Sequence, residues 1–463
     1  MPQRLAAMCA LALALAAGGC STNASLPGGA HANALGRRTR TASPIQHVVI
    51  MVQENRTFNN FFATYPGADG TTTGKVAADS ACGIYQDGTV TLSEVGLIDK
   101  FDLHHSWQAY NLARDGGKMD AFDEVTKRGS IPECLYPYQY VDPADIAPYW
   151  ALAQQYVLAE HMFTVQGGNS FSGHQDLIAG GTIVAPGEAM VNDPSCSGKT
   201  CTWGCDAPPG THTSLISRKD VFKPASGPYP CDTKFKVPYP TIRDLLDAKG
   251  ISWKYYVPPP CCNVSGRLFT AFDVVHAVRY GPEWTTNISY PESNIFKDIN
   301  AGALAAVSWV IPDEPESDHP GETEDYGPQW VASVVNAIGQ SRYWNSTAIV
   351  IVWDDWGGLY DNLNPPQRGY GGHGMRVPAL FVSPYAKAGH ISTTTYDFGS
   401  ILRYVEENWQ LGTLNGSDRY AASIIDCFDY NQQPIVFKPL PSSLTPSFFI
   451  HRKPSGLPVD DDM

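Results

Sequence analysis

Two short runs of apolar, mostly β-branched residues, each followed at once by a pair of polar side chains, constrain this chain more than any other feature. The first run ends in Glu54-Asn55, within HVVIMVQENRTF, and the second ends in Asp354-Asp355, within TAIVIVWDDWGG. Runs of this length are typical of strands that are buried on both faces of a parallel sheet. Because the carboxyl ends of parallel strands open onto a ligand crevice, we expect the two polar pairs to meet there.

Four oxygen-bearing side chains would then share one edge of the sheet. Carboxylate and amide oxygens are the ligands that hard divalent cations prefer, and such a cation lowers the pKa of a bound hydroxyl or neutralises a phosphoryl oxygen. The predicted ligands of a divalent metal cation, whose identity stays open, are Glu54, Asn55, Asp354 and Asp355. The alternative is that each pair is only the solvated start of a loop.

The composition is that of a folded globular protein with a large core. Of the 463 residues, 43% are hydrophobic and 17% are charged, and the formal net charge is −14. Nucleic-acid binding requires clustered Lys and Arg, so we expect no nucleic-acid partner. Binding of an anionic phosphoester would need local positive charge, most simply from a metal ion.

The first twenty residues have the features of a bacterial export signal. Arg4 precedes an apolar stretch that ends at Cys20 and is too short for a membrane-spanning helix, so no transmembrane segment is predicted. A lipoprotein signal with a lipid anchor at Cys20 and a plain signal peptide cut nearby both stay open. Either way the protein is expected to be exported, and to be periplasmic, secreted or lipid-anchored to the envelope. Residues 21–43 are small and polar, which is typical of a flexible tether.

Nine cysteines follow Cys20, and an exported chain keeps most of its cysteines in disulfides. The odd number leaves at least one thiol free or bonded elsewhere. Between about 186 and 240 the chain is rich in Cys, Pro, Gly and Ser with little periodicity, which predicts a loop insertion held by disulfides. A zinc site in CSGKTCTWGC is the alternative, but no second cluster with ligand spacing accompanies it.

Strand and helix patterns alternate through most of the chain, which predicts an α/β fold. We expect residues 44–463 to form a single domain. After about residue 412 the pattern weakens and the chain becomes proline-rich, so the last part, about 412–463, is expected to wrap around the domain as a tail.

Ser170 is the candidate nucleophile. It follows Gly167-Gly168 and Asn169 and precedes an apolar helical pattern. A hydroxyl in the first turn of a helix lies near free N–H groups and the positive end of the helix dipole, which favour an alkoxide and an incoming phosphate. The alternative is that Ser170 or Asn169 is only the N-cap of the helix, although the two roles are compatible.

Histidines in polar, turn-like segments are candidates for binding phosphoryl oxygens or protonating a leaving alkoxide. Taken singly, each is more often a surface or packing residue. The carboxylates of Glu316 and Asp318 lie close to His319 in sequence and favour it, and the acidic pairs favour His105 as well. The support is weaker for His373 and His104.

Seven segments stand in the order seen in the phosphoesterase family of bacterial phospholipases C and acid phosphatases: QENRTFNNFF, LHHSWQAYNLARDGGKMDAF, GGNSFSGHQDLIAG, DLLDAKGISWKYY, SDHPGE, WDDWGGLYD and RVPALFVSPYA. The chain resembles this family from about residue 45 to 410. The family is similar to a branch of the alkaline phosphatase superfamily. The resemblance therefore implies a central, mostly parallel β-sheet sandwiched by helices, and hydrolysis assisted by a metal through a phosphoserine or phosphothreonine intermediate.

The resemblance also implies roles for single residues. Ser170 matches the metal-activated nucleophile, and the residues that match positions near the phosphate, with catalytic and substrate-binding roles, are His105, Asp318 and His319. The metal ligands of the family match Glu54, Asn55, Asp354 and Asp355. Two positions depart from the pattern, because Asn362 and Phe398 stand where relatives have His. These departures leave the leaving-group acid and the substrate open.

The function that the resemblance implies is phospholipase C-like cleavage of phosphodiesters. Ser170 would attack phosphorus in line, water would hydrolyse the phosphoseryl enzyme, and His319 or His105 would protonate the leaving group. An acid phosphatase acting on small phosphomonoesters is the nearest alternative. A sulfatase would need a C/S-x-P-x-R motif, which NSFSG lacks. A non-catalytic cell-surface binding protein is the alternative from another class, but it would have no need of a nucleophile within a metal site.

Overall fold

A computed structural model describes residues 43–457, except for 79, 81, 84–87, 99–100, 128–132, 196–202, 261–268 and 322–323. The predicted export signal and almost all of the predicted tether lie outside the described residues, so both remain predictions. No helix in the described part of the chain is long and apolar enough to cross a membrane.

The strands of the described residues are β1 (His47–Gln53), β2 (Thr73–Lys75), β3 (Thr89–Thr91), β4 (Ser93–Val95), β5 (Gln139–Val141), β6 (Val157–Phe163), β7 (Ile183–Ala185), β8 (Glu188–Ser195), β9 (His212–Ser217), β10 (Phe222–Lys223), β11 (Trp253–Tyr256), β12 (Ile288–Ser289), β13 (Val307–Val310), β14 (Thr347–Trp353), β15 (Arg376–Val382), β16 (His390–Ser392) and β17 (Tyr396–Asp397). The α-helices are α1 (Phe58–Phe62), α2 (Trp107–Arg114), α3 (Ala147–Gln155), α4 (Ser170–Ala179), α5 (Ile242–Ala248), α6 (His276–Arg279), α7 (Glu283–Thr286), α8 (Asn294–Ala301), α9 (Gly327–Gly339), α10 (Phe398–Trp409) and α11 (Pro446–His451).

The central sheet has the strand order β12-β11-β13-β1-β14-β15-β6-β16, and β17 also pairs with β6. β1 lies between β13 and β14 and is parallel to both. β15 is antiparallel to β14 and to β6, so β6 again runs in the direction of β1. The predicted α/β fold with a mostly parallel central sheet is confirmed, and β15 is the strand that departs from the parallel direction.

Helices cover both faces of this sheet. On one face the indole Nε1 of Trp309 in β13 donates to Leu177 O of α4 (3.2 Å). On the other face the ring of Trp353 in β14 packs against Phe61 near the end of α1 and Tyr149 of α3, with centroids 5.3 and 5.0 Å apart. Every residue of β14 is therefore buried, and burying a single Val or Ile side chain contributes roughly 1.5–3 kcal/mol. A strand buried on both faces needs the continuous apolar run seen in the sequence.

The insertion predicted between about 186 and 240 contains more regular structure than a loop. Strands β7 to β10 form a four-stranded antiparallel sheet, and the disulfide Cys205–Cys231 joins two of its connecting segments. These strands bury apolar side chains, among them Val191 and Ile216, but β7 and β10 are only three and two residues long and all four lie among Pro and Gly residues. Their pattern therefore does not stand out in the sequence. A second disulfide joins Cys82 to Cys134, and Cys427 is free and buried.

The last part of the chain packs against the helical layer. Phe449 of α11 contacts the ring of Trp330 in α9 (5.2 Å). Arg452, which follows α11, donates to Asp313 Oδ2 (2.8 Å) and to Glu316 Oε1 (3.3 Å). This segment therefore reaches the loop that follows β13, which carries residues of the candidate site.

Candidate active site

The polar pairs that follow β1 and β14 lie side by side. Gln53 and Trp353 are partners in the parallel register, and Asp354 N donates to Gln53 O (2.9 Å). Asn55 N then donates to Asp354 Oδ1 (3.0 Å). β6 runs in the same direction as β1, so the loop that leads from β6 to Ser170 starts from the same edge of the sheet.

Ser170 is fully buried and begins helix α4. Its Oγ lies 3.2 Å from Asn55 Oδ1 and 3.2 Å from Asp355 Oδ2, both of which can accept its proton. Asn169 is the N-cap by backbone conformation, although its side chain makes no capping hydrogen bond. A Cβ on Gly167 would lie 2.2 Å from the ring of Tyr110. A side chain at that position would therefore displace the loop that leads to Ser170.

Asn55 connects the serine to two histidines. Its Nδ2 lies 3.2 Å from His105 Nε2 and 2.9 Å from His319 Nε2. The Nδ1 atom of each ring lies close to a backbone carbonyl, Leu103 O for His105 (2.6 Å) and Pro320 O for His319 (2.7 Å). A carbonyl can only accept, so Nδ1 carries the proton in both neutral rings and each Nε2 is an acceptor. The two N–H bonds of the Asn55 amide are thus directed at the histidines and its oxygen at Ser170.

The backbone of Asn55 has a left-handed conformation, with φ of 59°. Asn tolerates this region better than most residues. A Cβ on Gly357 would lie 2.2 Å from Asn55 O, so the turn after Asp354-Asp355 must pass close to the turn after β1. The two turns hold each other in place.

Asp318 is the predicted site residue whose side chain is directed elsewhere. Its Oδ2 accepts hydrogen bonds from Tyr149 (2.6 Å), Trp353 (3.1 Å) and Gln53 (3.2 Å). Burial raises the pKa of Asp318 to about 6, although these hydrogen bonds oppose the shift. Within the described residues it has no hydrogen bond to Ser170. Its contacts fix the loop that carries His319.

His174 is a buried site residue that the sequence reasoning missed. It lies one helical turn after Ser170, and its Nε2 is 3.0 Å from Glu54 Oε1 and 3.8 Å from Asp354 Oδ2. Burial lowers the pKa of His174 to about 4, so the ring is neutral at ordinary pH. The i, i+4 spacing from Ser170 was the signal that could have identified it, because such residues share a helix face.

The residues present fit a divalent cation. Ligand atoms of Glu54, His174 and Asp354 all lie within 4.8 Å of one another. Glu54 Oε2 and Asp354 Oδ2 are buried and have no hydrogen-bond partner among the described residues. Burial and then the neighbouring Asp354 hold the pKa of Glu54 well above its ordinary value. Buried, repelling carboxylates with free oxygens are what a cation would stabilise.

The remaining positions named from the sequence have other surroundings. Asn362 Oδ1 accepts from Arg376 Nη2 (2.7 Å), and Arg376 also pairs with Asp361 (3.1 Å). Phe398 is the fully buried first residue of α10. His373 Nε2 lies 3.7 Å from Asp397 Oδ2 and lines a separate cavity.

Comparison with known proteins decides the family. A profile of the Phosphoesterase family matches residues 45–412. The chain belongs to the phosphoesterase family. The resemblance stated from the sequence motifs is therefore confirmed.

Curated relatives of the chain include bacterial phospholipases C. The chain is 24% identical to non-hemolytic phospholipase C of Burkholderia pseudomallei over 449 residues, covering 83% of this chain and 57% of that protein. It is 21% identical to phospholipase C A of Mycobacterium tuberculosis over 455 residues, covering 85% and 79%. This phosphoesterase thus spans little more than half the length of the Burkholderia relative.

Solved structures that match the chain include a protein of the alkaline phosphatase superfamily from Vibrio parahaemolyticus, with a TM-score of 0.35 and 9% identity, covering 84% of this chain and 74% of that one. Human ectonucleotide pyrophosphatase/phosphodiesterase 5 matches with a TM-score of 0.39 and 9% identity, covering 73% and 99%.

Proposed function

We propose that this chain is an exported phosphoric ester hydrolase that cleaves phosphodiesters in the manner of a phospholipase C, with Ser170 as the nucleophile. The observation that carries the proposal is the position of Ser170 Oγ, 3.2 Å from both Asn55 Oδ1 and Asp355 Oδ2 at the carboxyl edge of the sheet. A buried hydroxyl at a helix N-terminus, with a carboxylate in reach of its proton, has the geometry of an activated nucleophile.

Asp355 is the group placed to receive the proton of Ser170. Its Oδ1 accepts from Gly357 N (2.8 Å), which fixes the carboxylate and leaves Oδ2 directed at the serine. His105 Nε2 lies 3.7 Å from the same Oδ2. Proton transfer to Asp355 would leave an alkoxide on the first residue of α4, at the positive end of the helix dipole, which favours negative charge.

A divalent cation would be held by the predicted oxygen ligands Glu54, Asn55 and Asp354 together with His174. Asp355, the fourth predicted ligand, would bind it while its carboxylate is unprotonated. When bound, the cation would lower the pKa of the Ser170 hydroxyl and neutralise charge on the phosphoryl group. Neutral imidazole is a ligand suited to Zn²⁺, Fe²⁺ and similar ions, whereas Mg²⁺ and Ca²⁺ prefer oxygen alone. The neutral ring of His174 therefore favours a transition metal at this site.

His105 and His319 are the groups available to protonate the leaving alkoxide. Each ring has its Nδ1 on a backbone carbonyl, so a second proton would be carried on Nε2, which would then give up the hydrogen bond that it accepts from Asn55. A protonated Nε2 can donate to a phosphoryl or leaving-group oxygen. Asp318 would act indirectly, by holding the loop of His319.

Export is supported by the disulfides Cys82–Cys134 and Cys205–Cys231. Disulfides persist in oxidising compartments and are rare in the bacterial cytoplasm. We propose that residues 1–20 act as the export signal. Lipid attachment at Cys20 would be recognised by a mass shift on the mature N-terminus.

The decisive experiment compares two substrates with the full exported protein and added divalent metals. Release of diacylglycerol from phosphatidylcholine supports the phospholipase C assignment. Release of phosphate from small monoesters alone supports the acid phosphatase alternative. Acid quenching during turnover of phosphatidylcholine, followed by peptide mass spectrometry, should show phosphocholine on Ser170, whereas turnover of a monoester should leave a phosphate there. Absence of hydrolysis across a broad phosphoester panel would overturn both assignments and favour a non-catalytic binding protein.

A further inference from the structure

A cavity of about 540 Å³ lies at the far end of helix α4 from Ser170. Gly180-Gly181, which follow the helix, line it. The ten residues of α4 rise about 1.5 Å each, so Gly180 lies roughly 15 Å from Ser170 along the helix axis, and Val165 and Gln166, which lie between β6 and Ser170, also line the cavity. Its volume is in the range of small-molecule binding sites. None of the residues assigned to the candidate active site lines it.

Three exposed arginines surround the mouth of this cavity: Arg218, Arg368 and Arg419. Arg218 Nε donates to the hydroxyl of Tyr370 (3.1 Å), and the guanidinium of Arg419 lies over the ring of Tyr420 (5.3 Å). Within the described residues none of the three forms an ion pair with a carboxylate. By contrast, the arginines that pair with carboxylates include Arg243, Arg279, Arg376, Arg403 and Arg452. In a chain of net charge −14, three unpaired guanidiniums at one opening are a local reversal of the surface charge.

The interior of the cavity differs from its mouth. Asp397 and His373 line it, are largely buried, and lie 3.7 Å apart. Asp397 Oδ1 has no hydrogen-bond partner among the described residues. Val165 and Ile183 add apolar surface. A ligand that suits this arrangement has an anionic group at the mouth and a hydrogen-bond donor further in, where it can reach Asp397.

We propose that this cavity binds a phosphate ester that also carries a hydroxyl or ammonium group, at a site separate from the Ser170 site. Guanidinium groups match the geometry of phosphate oxygens and bind them through paired, charge-assisted hydrogen bonds. The exposed ring of Tyr420 offers a face for the organic part of the ligand. A phospholipid head group at a membrane surface and a free phosphate ester share this chemistry.

Calorimetry with a phosphonate analogue of glycerol 3-phosphate tests the proposal, because its C–P bond resists hydrolysis. The variant Arg368→Ala/Arg419→Ala should bind the analogue at least about tenfold more weakly than the wild type, since two charge-assisted contacts are lost. The matched control is Lys249→Ala/Lys297→Ala, which removes the same charge from exposed residues near the opposite edge of the central sheet. Equal affinity in all three proteins, or an equal loss in both variants, would overturn the proposal.

Two further measurements identify the source of the ligand and the independence of the site. The first measurement is sedimentation of the protein with lipid vesicles. A lipid head group is supported if the wild type, but not the arginine variant, sediments with phosphatidylglycerol vesicles, and if neither protein sediments with phosphatidylcholine vesicles. Arginine-dependent binding of the soluble analogue alone supports a free phosphate ester. Turnover of a soluble phosphoester should be unchanged in the arginine variant. A loss of turnover in parallel with the loss of binding would show that the cavity belongs to the substrate site, which would reject a separate site.

Discussion

Asn55 Nδ2 lies 2.9 Å from Nε2 of His319, a residue 264 positions away in the chain. The same amide nitrogen lies 3.2 Å from His105 Nε2, while the amide oxygen accepts from Ser170. One side chain therefore contacts the candidate nucleophile and both candidate acids. Groups that are fixed in place in this way lower the reorganisation that a reaction requires.

Asn55→Gly tests the side-chain contacts of Asn55 separately from the left-handed backbone conformation that this position requires. Gly adopts the left-handed conformation of Asn55 without strain, so the fold should be retained, whereas the contacts to Ser170, His105 and His319 are lost. We expect turnover to fall by at least about 100-fold. The control is Asn415→Gly, at an exposed position that also has positive φ. Steady-state kinetics showing equal losses in both variants would contradict the role of the Asn55 amide.

Ser170→Ala should abolish turnover while leaving the fold intact. Removal of a nucleophile that acts with its neighbours as a unit typically costs several orders of magnitude, and we expect a loss of at least about 1000-fold. Ser172→Ala is the matched control on the same helix, because Ser172 Oγ donates only to Asn169 O (2.8 Å). Circular dichroism would check folding of both proteins. Appreciable turnover by the Ser170 variant would reject covalent catalysis through this residue.

Continuous apolar runs made the centre of the fold predictable. β1 and β14 are buried on both faces, and a strand without a solvent-exposed face has apolar residues at successive positions instead of an alternation of apolar and polar ones. The polar pairs at their ends could be located for the same reason, and Ser170 could be located because glycines precede it. The antiparallel direction of β15 could not be predicted, since its sequence is as apolar as that of β14, which runs parallel to β1.

The directions in which the side chains of the site point could not be predicted from the sequence. Asp318 neighbours His319, but its φ of 71° turns the carboxylate back toward Tyr149 and the sheet. His174 was not among the candidate residues, because it lies within the helical pattern that follows Ser170. Its partner Glu54 is 120 positions away, and only the fold brings the two within 3.0 Å.

Glu54→Gln should show how much the buried negative charge of Glu54 lowers the free energy of unfolding. In chelator-treated protein the variant should be more stable than the wild type by about 1–3 kcal/mol, since burial and Asp354 hold the pKa of Glu54 well above its ordinary value. A carboxyl group whose pKa is higher in the folded than in the unfolded protein destabilises the fold once the pH exceeds its pKa in the unfolded protein. The difference in unfolding free energy between the variant and the wild type should therefore shrink toward about pH 4. Added divalent cation should raise the melting temperature of the wild type more than that of the variant. An equal gain in both would remove Glu54 from the set of ligands.

His174→Ala should weaken binding of a transition metal more than binding of Mg²⁺. The imidazole contributes a nitrogen ligand that the oxygen ligands do not replace, so we expect the Kd for Zn²⁺ or Fe²⁺ to rise by at least about tenfold. Titration calorimetry of folded, metal-free protein measures this without reference to turnover. His276→Ala, which removes an exposed histidine, is the control. Unchanged affinity in the His174 variant would show that this ring only packs beside the carboxylates.

Asp354→Asn should lower the metal content of the purified protein. Asp354 Oδ1 accepts from Asn55 N and Asp355 N, and an amide oxygen can keep both hydrogen bonds (3.0 and 2.8 Å). The negative charge is lost, which weakens attraction for a cation. Elemental analysis of wild type and variant, purified side by side, gives the comparison. Equal metal content would exclude Asp354 as a ligand.

Glu406→Gln should change how stability depends on pH. Glu406 is buried in α10, where burial and then the charge of Asp418 raise its pKa to about 8. In the unfolded chain the ordinary pKa of Glu is about 4.5. Between pH 4.5 and 8 the folded protein therefore keeps the Glu406 proton that the unfolded chain has lost. The free energy of unfolding of the wild type falls as the pH rises through this range. Gln can still accept the hydrogen bond from Leu414 N (3.0 Å) but does not titrate. The variant should therefore gain stability relative to the wild type as the pH rises, by more than about 1 kcal/mol at pH 9.

Urea unfolding of both proteins at pH 5, 7 and 9 measures this difference. The control is Glu407→Gln, because Glu407 is only half-buried and pairs with Arg403 (3.1 Å) and with Ser423 (2.7 Å). Its replacement should cost a similar, small amount of stability at all three pH values, since it removes an ion pair that the surface partly screens. Parallel pH curves for the wild type and the Glu406 variant would show that Asp418 and burial leave Glu406 ionised in the folded protein.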